Sequence, residues 1–342
     1  MSGRRPGFVL MAALWLLVAL GAVGLDAALR SRTRRLAAAN LVDETRAMAA
    51  AVAGTEYARS RLTAAMLDRA EELRADALRR ARTAAARSQI SRQSVRSFMS
   101  GQDPLEDPWR EPELLVEKEM AFAEARYSLR LRDTGAALNL NTANAETLRN
   151  FFAQGLRVDY AEADHLAQAI LDWRDEDEIP RIDGGEREQY IDEKLPVLPP
   201  NREFADLSEL RHVMGMTQEL YELASPYLTL IGSGRINVNA APEPVLLALP
   251  GMTPAAAQEL IRLRESGYVP RSGNELRALI PYMTGSGTAA ERAQFDRLTT
   301  YATNEVEIIS VGRVDGGPVR VEARVVVGRS NNGAVVLWRR IE

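Results

Sequence analysis

Eighteen consecutive residues without a charge, Phe8–Leu25 (FVLMAALWLLVALGAVGL), constrain this chain more than any other feature. At ~1.5 Å of rise per residue the run makes a helix of roughly 27 Å, enough to cross a hydrocarbon core with little tilt. Arg4 and Arg5 precede it, so the positive-inside rule keeps the N-terminus cytoplasmic and exports the remainder. A cleaved secretory signal fits less well: the charged leader is short, and no small-x-small cleavage site follows before the next arginines. The run passes without a turn signal into Asp26–Arg87, rich in Ala, Leu and Arg, which favour helix. Only Gly54 interrupts it. The expectation is one long helix, half in a membrane and half outside, broken near Gly54 or Ser88.

Composition removes whole classes of chemistry. Among 342 residues there is no cysteine, which excludes disulfides, thiolate zinc sites and cysteine nucleophiles. His165 and His212 are the two histidines, too few for most histidine metal sites or catalytic triads. The net charge of −4 argues against a generally basic nucleic-acid binder. That average hides a polarised chain. Asp26–Ser100 holds 15 Arg against 8 acidic residues, a net of +7, and Asn139–Ile231 holds 19 acidic against 8 basic residues, a net of −11. The basic stretch fits either attraction to anionic lipid heads or a solvated helix face carrying paired charges.

Beyond the helix, Gln102–Glu111 is rich in Pro, Asp and Glu and reads as a linker. Ala125–Leu140 has strand character, with Tyr127, Leu129 and Leu131 alternating against polar residues and Asp133-Thr134-Gly135 turning a hairpin. Glu305–Ser310, Val319–Gly328 and Ala334–Ile341 read as three late strands, the Val325-Val326-Val327 run suggesting a face packed on the long helix. Between the strand groups lies a repeat: Leu138–Ala143 (LNLNTA) matches Ile236–Ala241 (INVNAA) at an offset of 98. Gly215-Met216-Thr217 and Gly251-Met252-Thr253 are related turns, and Asn at each strand end is placed to cap the next helix. Each unit is helix–hairpin–helix-like. Such hairpins bind DNA phosphates elsewhere, but Thr253 stands where a second glycine is usual, and the first unit is strongly acidic.

One loop has the makings of a metal site. Asp172, Asp175, Asp177 and Glu186, with Gly184-Gly185 between, offer hard oxygens suited to Ca²⁺ rather than zinc or copper. The spacing is not that of an EF-hand, and a solvated acidic loop is the alternative. No nucleophile motif surrounds either histidine, so no enzyme is expected.

Arg4-Arg5-Pro6-Gly7 followed by Phe8-Val9-Leu10-Met11 resembles the leader of type IV prepilins and pseudopilins. The resemblance implies cleavage between Gly7 and Phe8 by prepilin peptidase and N-methylation of Phe8. The family usually has Glu at the fifth mature position; here it is Ala12, as in the K-type minor pseudopilin of type II secretion. Asn139–Thr142, Asp172–Asp175, Gly184–Glu186 and Ile236–Pro242 are similar to that family, in the same order. Calcium sites occur in it. The implied fold is α+β: a pseudopilin frame of long N-terminal transmembrane and amphipathic helix plus antiparallel sheet, with a large inserted α-helical domain. The implied boundaries are leader 1–7, transmembrane part 8–25, periplasmic helical stalk 26–100, linker and first strands 101–140, insert 141–303 and C-terminal strands 304–342. The insert holds two related units, about 138–232 and 236–303. The implied function is a cap at the tip of the pseudopilus, seeding assembly with I- and J-type minor pseudopilins at the inner-membrane platform. The chain would be single-pass, with the head periplasmic. A type IV pilus minor pilin and a membrane-anchored helix–hairpin–helix DNA-binding protein are the alternatives, with a membrane-anchored hydrolase more distant.

Overall fold

Alanines turn one face of the long helix toward a sheet. In the computed structural model, which describes residues 6–93, 95, 99, 104–280 and 288–342, helix α1 runs unbroken over Pro6–Arg80. Arg4 and Arg5 lie outside the described residues. Ala47, Ala50, Ala51, Ala58, Leu62, Met66 and Ala70 recur mostly at three- and four-residue steps and are all buried, so one face of α1 packs on the sheet, with Ala53, Tyr57 and Leu73 partly buried beside it. From Met11 to Val42, by contrast, every described side chain except Ser31 is exposed. Among the described residues α1 is the one helix long and apolar enough to cross a membrane.

The expected break at Gly54 does not occur. Glycine is needed there for space, because a Cβ would lie 2.8 Å from Tyr127 Cδ2 and closer still to Ser310 Oγ. The chain breaks instead at residues 81–83, before α2 (Ala84–Ser91), where Thr83 Oγ1 accepts from the Ala86 N–H at 3.2 Å. Arg74 donates to the Ser91 carbonyl at 3.1 Å and folds α2 back beside α1.

Five antiparallel strands lie against α1 in the order β1–β2–β7–β8–β9: β1 (Glu119–Phe122), β2 (Ala125–Asp133), β7 (Glu305–Arg313), β8 (Arg320–Ser330) and β9 (Gly333–Ile341). Along β2 the odd-numbered side chains are buried, as the alternation requires. The valine run departs from expectation. A register shift falls between Val326 and Val327. Val325 and Val327 join the core under α1; Val326 faces the opposite side, beside Trp338 and Leu337. All three are buried because both faces of the sheet are covered there.

The stretch read as a linker is packed structure. Trp109 is fully buried, its Nε1–H donating to the Leu62 carbonyl at 2.9 Å. Arg329 stacks over its ring, 4.7 Å from the centroid, and donates to both carboxylate oxygens of Asp107 at 2.6 Å. This strap ties α1 to β8.

No hairpin forms at Asp133. Residues 134–136 make a 3₁₀ turn, and β3 (Leu138–Asn139) leaves the sheet to pair in parallel with β4 (Leu228–Thr229). The reason is that Leu138 and Leu140 belong to a second apolar core, made of inserted residues alone. The insertion leaves and re-enters at neighbouring points, since Asp133 and Val306 are cross-strand partners. Buried Asp133 clasps the junction: it accepts from Gly135 N–H at 2.8 Å, Asn237 Nδ2 at 2.6 Å and Thr303 Oγ1 at 2.8 Å.

The duplication is structural. β5 (Ile236–Asn237) pairs in parallel with β6 (Thr299–Thr300), repeating β3 with β4. Asn139 and Asn237 each accept from the N–H two residues on, at 2.9 and 3.0 Å. Asn141 and Asn239 donate across to loop carbonyls in both units. The strand-end asparagines therefore turn the backbone rather than cap helices. Capping falls to Asn144, one turn later, and to Thr217 and Thr253, each after a glycine with φ of +83° or +75° two residues earlier.

Candidate metal centre

Helix α4 (Tyr160–Arg174) follows α3 (Ala145–Asn150) and a π turn, and buries Leu166, Ile170 and Trp173, so its last turn delivers Asp172 into the protein and Asp175 to its rim. Trp173 is core, stacked on Phe204 at 6.0 Å between ring centroids. The chain then loops through residues 175–185 and returns at α5 (Arg187–Asp192). Glu186 occupies the N-cap of α5, with Gln189 accepting from its N–H at 3.0 Å, which fixes its side chain toward the loop. The nearby Asp183 carbonyl is held 2.6 Å from His165 Nδ1, giving that histidine a packing role. Gly184 is needed because a Cβ would strike the Asp172 carboxylate.

This folding brings together three of the four expected ligands. Carboxylate oxygens of Asp175, Asp177 and Glu186 lie within 4.8 Å of one another. Asp172 is not in the cluster. It is fully buried and paired with Arg181, whose Nε sits 3.1 Å from Oδ1 and whose backbone N–H donates to Oδ2 at 3.1 Å. Arg181 is an unforeseen participant, since it also reaches Asp175 Oδ2 at 2.6 Å. Asn201 is another: at φ +48° it swings its amide to Glu186 Oε2 at 3.2 Å and to the Asp177 carbonyl. The Pro199-Pro200-Asn201 turn was the available signal.

The electrostatics are unbalanced. Asp175 Oδ1 and Glu186 Oε1 are buried with no hydrogen-bond partner. Burial, and then the charges of Asp172, Asp175 and Asp177, push Glu186 up to about 7. Burial also raises Asp172 above the usual carboxylate range, with Asp175 adding to it and Arg181 opposing. A cluster of hard oxygens with two orphaned buried atoms and one guanidinium for several carboxylates suits a hard divalent cation. Calcium, taking 6–8 oxygens at variable geometry, fits better than zinc.

The long helix on an antiparallel sheet, interrupted by a helical insertion, defines the class of fold. A chain of the crystal structure of the GspK-GspI-GspJ complex from the enterotoxigenic Escherichia coli type 2 secretion system shares it. That match has a TM-score of 0.57 and 18% identity over 92% of this chain and 99% of that one. A family model described as type II secretion system (T2SS), protein K, matches residues 129–233. The type II secretion system protein K of Dickeya chrysanthemi is 32% identical over 99 residues, 29% of this chain and 25% of that protein. That of Pectobacterium carotovorum subsp. carotovorum is 32% identical over 118 residues, 32% of this chain and 34% of that protein. The aligned stretches thus span about a quarter to a third of these curated relatives.

Proposed function

We propose that this protein is a minor pseudopilin that caps the tip of a type II secretion pseudopilus and seeds its assembly for export of folded proteins. The observation that carries the reading is the contrast within α1: apolar from Met11 to Leu25 with every described side chain there bare, and packed on a sheet from Ala47 onward. Such a surface needs lipid before assembly and neighbouring apolar helices after it. The second support is the inserted head, which enlarges one end of the frame. A subunit in the body of a fibre must leave room for copies above and below; a terminal subunit need not.

In this reading the partners are I- and J-type minor pseudopilins, which meet α1 and the sheet, and the inner-membrane assembly platform. Prepilin peptidase cuts between Gly7 and Phe8, both in the first turn of α1, and the new amine is N-methylated. The N-terminus faces the cytoplasm and the head the periplasm. Ala12 accords with the tip, because a buried Glu there would lack a neutralising neighbour. Calcium held by Asp175, Asp177 and Glu186 orders the acidic loop, and no catalytic step is assigned.

Two measurements test this. Mass spectrometry of protein from a host with an intact secretion system should find N-methylated Phe8 as first residue; an uncut chain would count heavily against it. Co-purification with I- and J-type partners separates a secretion tip from a pilus tip.

A further inference from the structure

The basic stretch following the apolar run divides into two unlike parts. Beyond residue 43 five of its ten described arginines are ion-paired, Arg46 with Asp43 and Glu124, Arg59 with Glu56, Arg69 with Glu72 and Glu106, Arg79 and Arg80 with Asp76. Arg61, Arg74, Arg87 and Arg92 donate to neutral oxygens of the protein. Next to the run the pattern differs. Arg30 is paired with Asp26 at 2.8 Å, but Arg32, Arg34 and Arg35 have no ion-pair partner among the described residues, and all four are exposed.

Their placement around the helix is informative. At about 100° per residue, Arg30, Arg34, Arg35 and Arg32 stand near 0°, 40°, 140° and 200°, so positive charge spans more than half the circumference. A partner helix covers one face and would leave part of this charge unmatched. A surface that the helix pierces meets every side. Along the axis, Arg30 lies about 7.5 Å and Arg35 about 15 Å past Leu25, against a headgroup layer roughly 5–8 Å thick. The group therefore begins in the headgroups and ends within about one Debye length, ~8 Å, of them.

We propose that Arg30, Arg32, Arg34 and Arg35 form a collar that binds the phosphates of anionic phospholipids where α1 leaves the membrane. Guanidinium forks suit phosphate, and their stems lie along the interface. The collar gathers acidic lipid around the waiting subunit and fixes the depth of its anchor. Entry into an assembly exchanges these contacts for others. The inference rests on the reading of Phe8–Leu25 as a membrane span.

The test uses the full chain reconstituted in mixed phosphatidylcholine–phosphatidylglycerol vesicles, with one lipid or the other carrying brominated acyl chains. Bromine in the bilayer quenches Trp15, which lies in the span, and leaves Trp109, Trp173 and Trp338 in the exported part bright. Brominated phosphatidylglycerol should quench Trp15 more strongly than brominated phosphatidylcholine, and 0.5 M salt should reduce the difference. Joint Arg→Gln replacement at 30, 32, 34 and 35 should abolish it, up to about fivefold of lipid preference being lost per arginine. Glutamine keeps helix propensity, and circular dichroism verifies the fold. Equal quenching by both lipids in the unaltered chain would overturn the collar and leave the anchor standing. Absence of quenching by either would overturn the anchor and the collar with it. A variant that keeps its lipid preference but loses partner co-purification would assign the arginines to a protein neighbour instead.

Discussion

At the scale of single residues, the acidic loop is the most sharply testable feature. Asp175, Asp177 and Glu186 converge while Asp172 is buried beside Arg181. Calorimetric titration of the chain beyond the apolar run should show Ca²⁺ uptake, abolished by Asp175→Ala; Asp172→Asn should damage folding more than binding. Lack of uptake by the intact domain would end the calcium assignment. Glu186 also sets a pH dependence. Its carboxyl titrates near 7 when folded against an ordinary 4.5, so the folded state binds the proton more tightly than the unfolded chain. Stability from this group is complete below pH 4.5 and is lost as pH rises through 7, by roughly 2–3 kcal/mol at most. Melting temperatures in chelator should fall between pH 5 and pH 8; calcium or Glu186→Gln should flatten the trend. The four carboxylates were visible in the sequence as a set. Which of them face each other was not, because Arg181 and Asn201 arrive from the far side of the loop and decide the grouping.

Among elements, the joint between α1 and the sheet depends on missing side chains. Gly312 approaches the α1 backbone so closely that a Cβ would meet the Ala47 carbonyl oxygen and lie 2.7 Å from the Ala51 nitrogen. Backbone cannot yield as a flexible side chain does. Gly312→Ala should therefore cost about 1–3 kcal/mol or more, read as a lowered denaturation midpoint, while Gly316→Ala, with open space at a loop, should cost less and act only through its positive φ. The same logic explains why Gly54 misled as a helix break. Propensity treats glycine as a weakness in a helix; tertiary packing uses it as clearance. The repeat at offset 98 was legible because the asparagine turns recur at both units. The arginine equivalence was not: Arg174 donates to the carbonyls of Leu140 and Ala143, and Arg264 to those of Val238 and Ala241. The carbonyls keep the offset of 98 but the arginines are 90 apart.

For the whole molecule, the two larger apolar cores share no residue: one is made of α1, the strap and the sheet, which also meet in a small cluster of Ala47, Ala51, Val321 and Ala323, and the other of inserted residues alone. A fragment of residues 137–303 should accordingly fold by itself, with a cooperative thermal transition by circular dichroism; a gradual, non-cooperative melt would mean the frame is required. Loss of Asp133 contacts should weaken the junction without dissolving either core. Asp133→Ala leaves the Asn237 amide and Thr303 hydroxyl without a buried acceptor, a cost of about 1–3 kcal/mol for each donor left unpaired.

The sequence by itself determined the long apolar N-terminal helix, the alternation of β2, the duplication and the set of carboxylates in the acidic loop, since each is a local pattern or a local pattern that recurs along the chain. Only the tertiary structure decided what Asp133 does, that Trp109 pins a strap rather than a linker, and which carboxylates meet. Those outcomes depend on partners far along the chain: Asp133 with Thr303 across 170 positions, Trp109 with Leu62 across 47. Local pattern carries no record of such meetings, because they are set by how two separate cores are docked and not by the period of either.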